Sequence, residues 1–209
     1  DGVVAAAEAI GPAAVPMCVD VTDEAAVDAM VARVVRELGR LDFAVNNAGI
    51  AGSTQSFVDI PLETWDRTIA VNLTSVFLCM RAELRHMAPR ASGSIVNVSS
   101  TSAFRPPAGL AHYVASKNGI HGLSKSGALE FAARGIRVNT VVPGSIDTPM
   151  IRQTMGDDPE TIAAVTSRWA AGRFGQPLEV APAVTWLCSP RASFVNGASL
   201  VVDGGMLSL

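Results

Sequence analysis

Two hydrophobic periods take turns along this sequence. Residues 22 to 38 carry Val27, Met30, Val31, Val34, Val35 and Leu38 at spacings of three and four, which draws a single apolar stripe along a helix, and Gly39 closes it. Short runs rich in Val and Ile lie on either side, at 15 to 19 and 41 to 45, and three more follow at 95 to 98, 136 to 142 and 200 to 202. None of these runs alternates apolar with polar residues, so both faces of each should be covered, as in parallel strands layered between helices. The segments at 61 to 88, 110 to 134 and 179 to 188 read as helices, with Pro61 suited to a first turn and Gly135 to the stop after Arg134. Strand and helix in strict alternation predict an α/β fold built on a doubly wound parallel sheet.

The 209 residues contain no linker or repeat, so the spacing predicts one domain over 1 to 209. Within it, 147 to 175 reads as a looser, lid-like substrate segment because of Gly156-Asp157-Asp158-Pro159 and Gly172. Charged residues make up 17% of the chain and the net charge is −3, with no basic run, which argues against a nucleic-acid partner. The longest apolar stretch, 3 to 19, is cut by Glu8, Gly11-Pro12 and Pro16, so it is no membrane span. Cys18, Cys79 and Cys188 are odd in number, far apart and set among apolar residues, which fits reduced core thiols in the cytoplasm better than disulfides. His86 has no partner at ligand spacing, and no metal site is expected.

In an open parallel sheet, ligands bind beyond the carboxyl ends of the strands. Three runs here end in polar or small residues: Asn46-Asn47-Ala48-Gly49, Ser99-Ser100 and Pro143-Gly144. Tyr113 is the only tyrosine and Lys117 one of two lysines, yet they stand four apart, stacked on one helix face. An ammonium beside a phenol favours the phenolate, so Lys117 should draw Tyr113 downward and make it a proton donor or acceptor near neutrality. Ser100 could add a hydroxyl that steadies charge on a substrate oxygen, and the three together suit a carbonyl or an alcohol. Ser99 is expected only to cap the following turn, Asn97 and Asn139 to bridge backbone, and His112 and His121 to serve packing or a subunit contact.

The pattern Ser100, twelve residues, then Tyr113-Val-Ala-Ser-Lys117, preceded by Asn46-Asn47-Ala48-Gly49, resembles the classical short-chain dehydrogenase/reductase family. The resemblance implies a Rossmann-type domain and an NAD(P)-dependent oxidoreductase that interconverts a secondary alcohol and a ketone. It further implies that Asn72 is a fourth catalytic residue, holding a water that links Lys117 to solvent, and that Lys117 also bonds the nicotinamide ribose. Asp20 and Val21 would contact the adenine, and Asn47, Ala48 and Gly49 the adenosine ribose. Pro143, Gly144, Ile146 and Thr148 would flank the carboxamide. The similarity runs from about residue 15 and extends to Val202-Asp203-Gly204-Gly205.

The family's opening strand, glycine-rich turn and second strand do not precede Asp1, so the fold is expected to be N-terminally truncated and the sequence to be partial. The choice between NAD and NADP lies in those pieces, and without them the strand at 41 to 45 should present a bare apolar edge. A small-molecule alcohol or ketone and a homodimer or homotetramer are the expected partners. Two rival functions remain open: reduction of 3-oxoacyl groups on an acyl carrier protein, which needs a basic site mouth beyond Arg105 and Arg152, and a catalytically silent fragment serving only assembly.

Overall fold

The computed structural model describes residues 2 to 208. Helix α1 (Gly2–Ile10) leads through an extended segment to α2 (Glu24–Leu38) and strand β1 (Phe43–Asn46). Helix α3 (Leu62–Ile69) runs through a wide turn at Ala70–Thr74 into α4 (Ser75–Met87) and β2 (Gly93–Val98). Helix α5 (Ala111–Phe131) and β3 (Ile136–Pro143) follow, then α6 (Pro149–Met155), α7 (Pro159–Thr166), α8 (Pro177–Cys188) and β4 (Ser199–Val202).

All strand pairs are parallel and the order is β1-β2-β3-β4, with Asn46 opposite Asn97, Asn97 opposite Thr140, and Thr140 opposite Ser199. Both faces are covered. On one, Val76, Met80, Leu84 and Met87 of α4 meet Ile120 and Ala128 of α5 over Ile95, Ile136 and Val138. On the other, Leu187 of α8 packs on Val96 and Val141. The stripe on α2 buries Val27 and Val31 against Leu78, Cys79 and Ala82 of α4. Asp23 caps α2 by accepting from the Ala25 and Ala26 amides, and Gly39 ends it with φ +81.

The strand expected at 15 to 19 does not form: the segment has no regular structure and pairs with nothing among the described residues. An apolar run becomes a strand only when a ladder partner lies beside it, and none does. Cys18 sits on this segment and is exposed, unlike buried Cys79, so it is not a core thiol; all three thiols are free. Strand β1 is an outer strand with Phe43 and Val45 about half exposed, the apolar edge that the sequence implied.

Residues 147 to 175 form α6 and α7, and their two ends are tied together. The Asp147 amide donates to Gly175 O (2.8 Å) and the Gly175 amide to Ser145 O (3.0 Å). Among the described residues no helix is long and apolar enough to cross a membrane.

Candidate active site

The carboxyl end of β2 and, through Asn72, the turn beyond β1 meet the amino-terminal half of α5. Ser100, directly beyond β2, is fully extended, and its Oγ accepts from the Ser102 amide at 3.1 Å, which opens the short turn Thr101–Ala103. The cap expected of Ser99 therefore belongs to Ser100. Adjacent extended residues point to opposite faces, so Ser99 turns to α5, where its hydroxyl donates to Lys117 O at 2.9 Å.

Lys117 is buried, and its Nζ donates to Val98 O at 3.0 Å and lies 5.7 Å from the centre of the Tyr113 ring. The tuning differs from the expectation. Burial pushes the Tyr113 phenol above its ordinary value, with Ser100 offsetting part of this by hydrogen bonding, and burial pushes Lys117 down to about 8. Loss of solvation sets both shifts, raising the phenol and lowering the ammonium. Tyr113 is thus held as a proton-bearing phenol, ready to donate.

Asn72 is fully buried in the turn at Ala70–Thr74, where the helix widens to i→i+5 spacing, a local distortion frequent at functional sites. Its Oδ1 accepts from the Ile50 amide (2.8 Å), and its Nδ2 donates to Ile50 O (2.8 Å) and Ser116 Oγ (3.1 Å). This clamps the turn after β1 to α5. Gly49 passes so close that a Cβ there would lie 3.3 Å from Asn72 Oδ1 and 3.5 Å from Lys117 Nζ.

Facing this turn is α6. Gly49 to Thr54 and Pro149, Met150, Gln153 and Thr154 enclose a cleft of about 460 Å³. Gly144 donates its amide to Val202 O (3.0 Å), Ile146 bridges to Gly175, and Thr148 caps the backbone entry to α6 while its hydroxyl donates to Ile146 O (3.2 Å). Asn47 and Ala48 are exposed beside Gly49. Asp20 is also exposed, and its carboxylate accepts from the Thr22 amide and hydroxyl, which keeps it below the usual carboxylate range; Val21 leans toward α2 and α4. Of the residues expected to hold a dinucleotide, only Gly49 lines this cleft, and it and Lys117 suit such a cofactor. Gly49 lets backbone approach the Lys117 ammonium, and that ammonium, bonded only to Val98 among the described residues, retains hydrogens for a ribose hydroxyl.

Two features escaped the sequence reading, while His112 takes the packing place expected of it. Glu83 is buried, is pushed up to about 7 by burial, and accepts from Asn46 Nδ2 (3.2 Å), which also donates to Asn97 Oδ1 (2.9 Å). His112 is fully buried beside Gly52 with neither ring nitrogen hydrogen-bonded. His121 bridges Ser99 and Ser199. Only the isolated Glu83 within the otherwise apolar face of α4 carried a signal. A larger groove, about 800 Å³, lies between α4 and α5 and is lined by Phe77, Met80, Leu84 and Phe131; Ser100, Tyr113 and Lys117 line neither it nor the smaller cleft, which instead borders Lys117 through Gly49.

A family model described as enoyl-(acyl carrier protein) reductase matches residues 1–207, so the likeness begins at the start of the chain rather than near residue 15. Cis-4-hydroxycyclohexanecarboxylate dehydrogenase of Sinomonas cyclohexanicum is 45% identical over 186 residues, 89% of this chain and 74% of that protein. A protein of Xanthobacter autotrophicus named inactive 2-(S)-hydroxypropyl-CoM dehydrogenase 2 is 43% identical, over 98% of this chain and 90% of its own. The solved structure of ElxO with NADP bound superposes with a TM-score of 0.86 at 33% identity, over 91% of this chain and 77% of that one. By these matches, and by the parallel sheet with Ser100 beyond β2 and Tyr113 and Lys117 on the helix against it, the chain belongs to the short-chain dehydrogenase/reductase family, oxidoreductases that use NAD or NADP to interconvert secondary alcohols and ketones.

Proposed function

We propose that this protein interconverts a compact, ring-borne secondary alcohol and its ketone, with Ser100, Tyr113, Lys117 and Asn72 as its working residues. The observation that carries this is the grip of the β2 end on one turn of α5: Val98 O holds the Lys117 ammonium, Ser99 holds the Lys117 carbonyl, and Ser100 stands beside the Tyr113 hydroxyl.

When bound, the nicotinamide supplies the hydride acceptor for oxidation and the hydride donor for reduction. Tyr113 Oη gives its proton to the carbonyl oxygen in reduction; in oxidation it first releases that proton and then, as phenolate, receives the carbinol proton. Ser100 already accepts from the Ser102 amide, so its one hydrogen, which it gives to Tyr113 until a substrate binds, is what it turns toward the substrate oxygen. Lys117 binds the ribose, and Asn72 keeps Ile50, and with it the turn at Gly49, at a fixed distance from Lys117. Asp20, Val21, Asn47, Ala48, Gly49, Pro143, Gly144, Ile146 and Thr148 complete the cofactor cleft within a single domain.

The segment at 147 to 175 covers the substrate, pinned at both ends by the Ile146–Gly175 bridge. Pro149 and Met150 give its cleft side apolar surface suited to a ring, and the Trp169–Phe174 pair, 5.5 Å between ring centres, packs within the segment. The named activity of the Sinomonas relative also points to a cyclic alcohol. An acyl carrier protein is not favoured, because Arg152 is engaged by Asp147 and Asp157, and Arg105 by Met206 O. The apolar groove between α4 and α5, with half-exposed Phe77, suits a second copy, hence a homodimer or homotetramer. The free thiols suit the cytoplasm.

The test is to titrate NADH and NADPH while following nicotinamide fluorescence and light scattering, and then to assay a panel of cyclic ketones. Saturable binding with turnover is expected. Binding without turnover across the panel would favour a silent protein.

A further inference from the structure

His121 has no part in the chemistry above, yet it stands one turn beyond Lys117 with both ring nitrogens engaged. Its Nε2 is 2.9 Å from Ser99 Oγ and its Nδ1 is 2.9 Å from Ser199 Oγ on β4. Ser99 has one hydroxyl hydrogen, and it goes to Lys117 O at 2.9 Å. Toward His121 the Ser99 oxygen can therefore only accept. Nε2 must carry the proton, which leaves Nδ1 as the acceptor of the Ser199 hydroxyl.

We propose that His121, as the Nε2–H tautomer, is a positioning residue: it fixes the Ser99 rotamer that ties the β2 end to the Lys117 carbonyl, and so sets the placement of Ser100 relative to Tyr113 and Lys117. This rests on the catalytic reading above. The chain of bonds is short and continuous. Ser99 is buried and its amide donates to Val141 O (2.9 Å), so backbone on one side and the imidazole on the other leave its hydroxyl a single direction. Ser100 is the next residue. Lys117 is held at both ends by this device, its Nζ by Val98 O and its carbonyl by Ser99.

The surroundings of His121 keep the ring neutral. The charged neighbour acting on it is Lys125, one turn along α5, and the edge of Phe104 covers it with ring centres 5.0 Å apart; burial and Lys125 hold it below the ordinary histidine value. A neutral ring of fixed tautomer keeps the Ser99 bond unchanged across the working pH range.

Three variants test this in steady-state assays with full cofactor titrations. His121→Leu removes both bonds and should lower kcat about tenfold or more, since small misplacements of reacting groups carry such costs, while KM for the cofactor changes little. His121→Gln retains a donor for Ser99 and should recover most of the lost kcat. Ser99→Ala should match His121→Leu, and the double variant should be no worse than either single one. Should His121→Leu fail to fold, imidazole 15N NMR of the wild type decides: a protonated Nε2 and a bare Nδ1 near neutral pH support the proposal, and the opposite tautomer or an imidazolium overturns it. Wild-type kcat in His121→Leu, or additive losses in the double variant, would also overturn it. Tyr113→Phe runs beside these: full activity there refutes the catalytic reading itself, whereas loss there with an unaffected His121→Leu refutes only the positioning role.

Discussion

Lys117 is expected to be a liability for stability and a requirement for activity, and the two can be separated by pH. Its ammonium is buried, and burial moves it from an ordinary 10.5 to about 8. Between those values the unfolded chain binds a proton that the folded chain has released, so stability rises with pH across this window and the penalty is fully present below about pH 8. The difference corresponds to about 3 kcal/mol. Replacing Lys117 with Met removes that penalty but leaves Val98 O without its 3.0 Å donor, at a cost of about 1 to 3 kcal/mol that does not depend on pH. The absolute change at neutral pH is therefore small, and the slope is the informative quantity. From about pH 7 to about pH 10 the wild type should gain about 2.5 kcal/mol relative to Lys117→Met, measured by urea unfolding of the cofactor-free proteins. Turnover should be lost in the variant at every pH. A stability difference that stays flat with pH, or that runs in the opposite direction, would refute a desolvated ammonium at this position.

Glu83 should behave in the mirror-image way. Burial pushes its carboxyl from 4.5 up to about 7, so the folded chain keeps a proton that the unfolded chain loses, and stability falls as pH rises across that window. Glu83→Gln keeps an acceptor for Asn46 and should match the wild type near about pH 4 and exceed it by up to about 3 kcal/mol above about pH 7; equal unfolding midpoints at the two ends would contradict this. Gly49→Ala should weaken NADH or NADPH binding with little change in melting temperature, because the added Cβ crowds Asn72 Oδ1 and Lys117 Nζ; a fluorescence titration indistinguishable from wild type would remove Gly49 from the cofactor cleft.

How far the sequence could be read depended on where each signal resides. The four paired strands and the principal helices were visible because their periods come from burial on two faces or on one, and burial is imposed by the sheet these residues themselves build. Residues 15 to 19 carry the same apolar signal but pair with nothing, since pairing belongs to a neighbour and not to the segment. The distortion at Ala70–Thr74 has no glycine or proline to announce it. That Lys117 stands beside Tyr113 near the β2 end was legible from spacing, whereas their electrostatics were not. The sign of the Tyr113 shift is decided by how deeply the phenol and the ammonium are desolvated, and that is a property of packing. The Ser99–His121–Ser199 chain spans 100 residues and three elements, so no local pattern could carry it.

The most direct test of the account follows deuterium from the carbinol carbon of a cyclic secondary alcohol to the nicotinamide, by NMR, in wild type and in Tyr113→Phe, with cofactor binding checked by fluorescence in both. Deuterium is expected on the nicotinamide ring in the wild type, with transfer slower by about a hundredfold or more in Tyr113→Phe at equal cofactor occupancy. Equal transfer rates in the two proteins would contradict it.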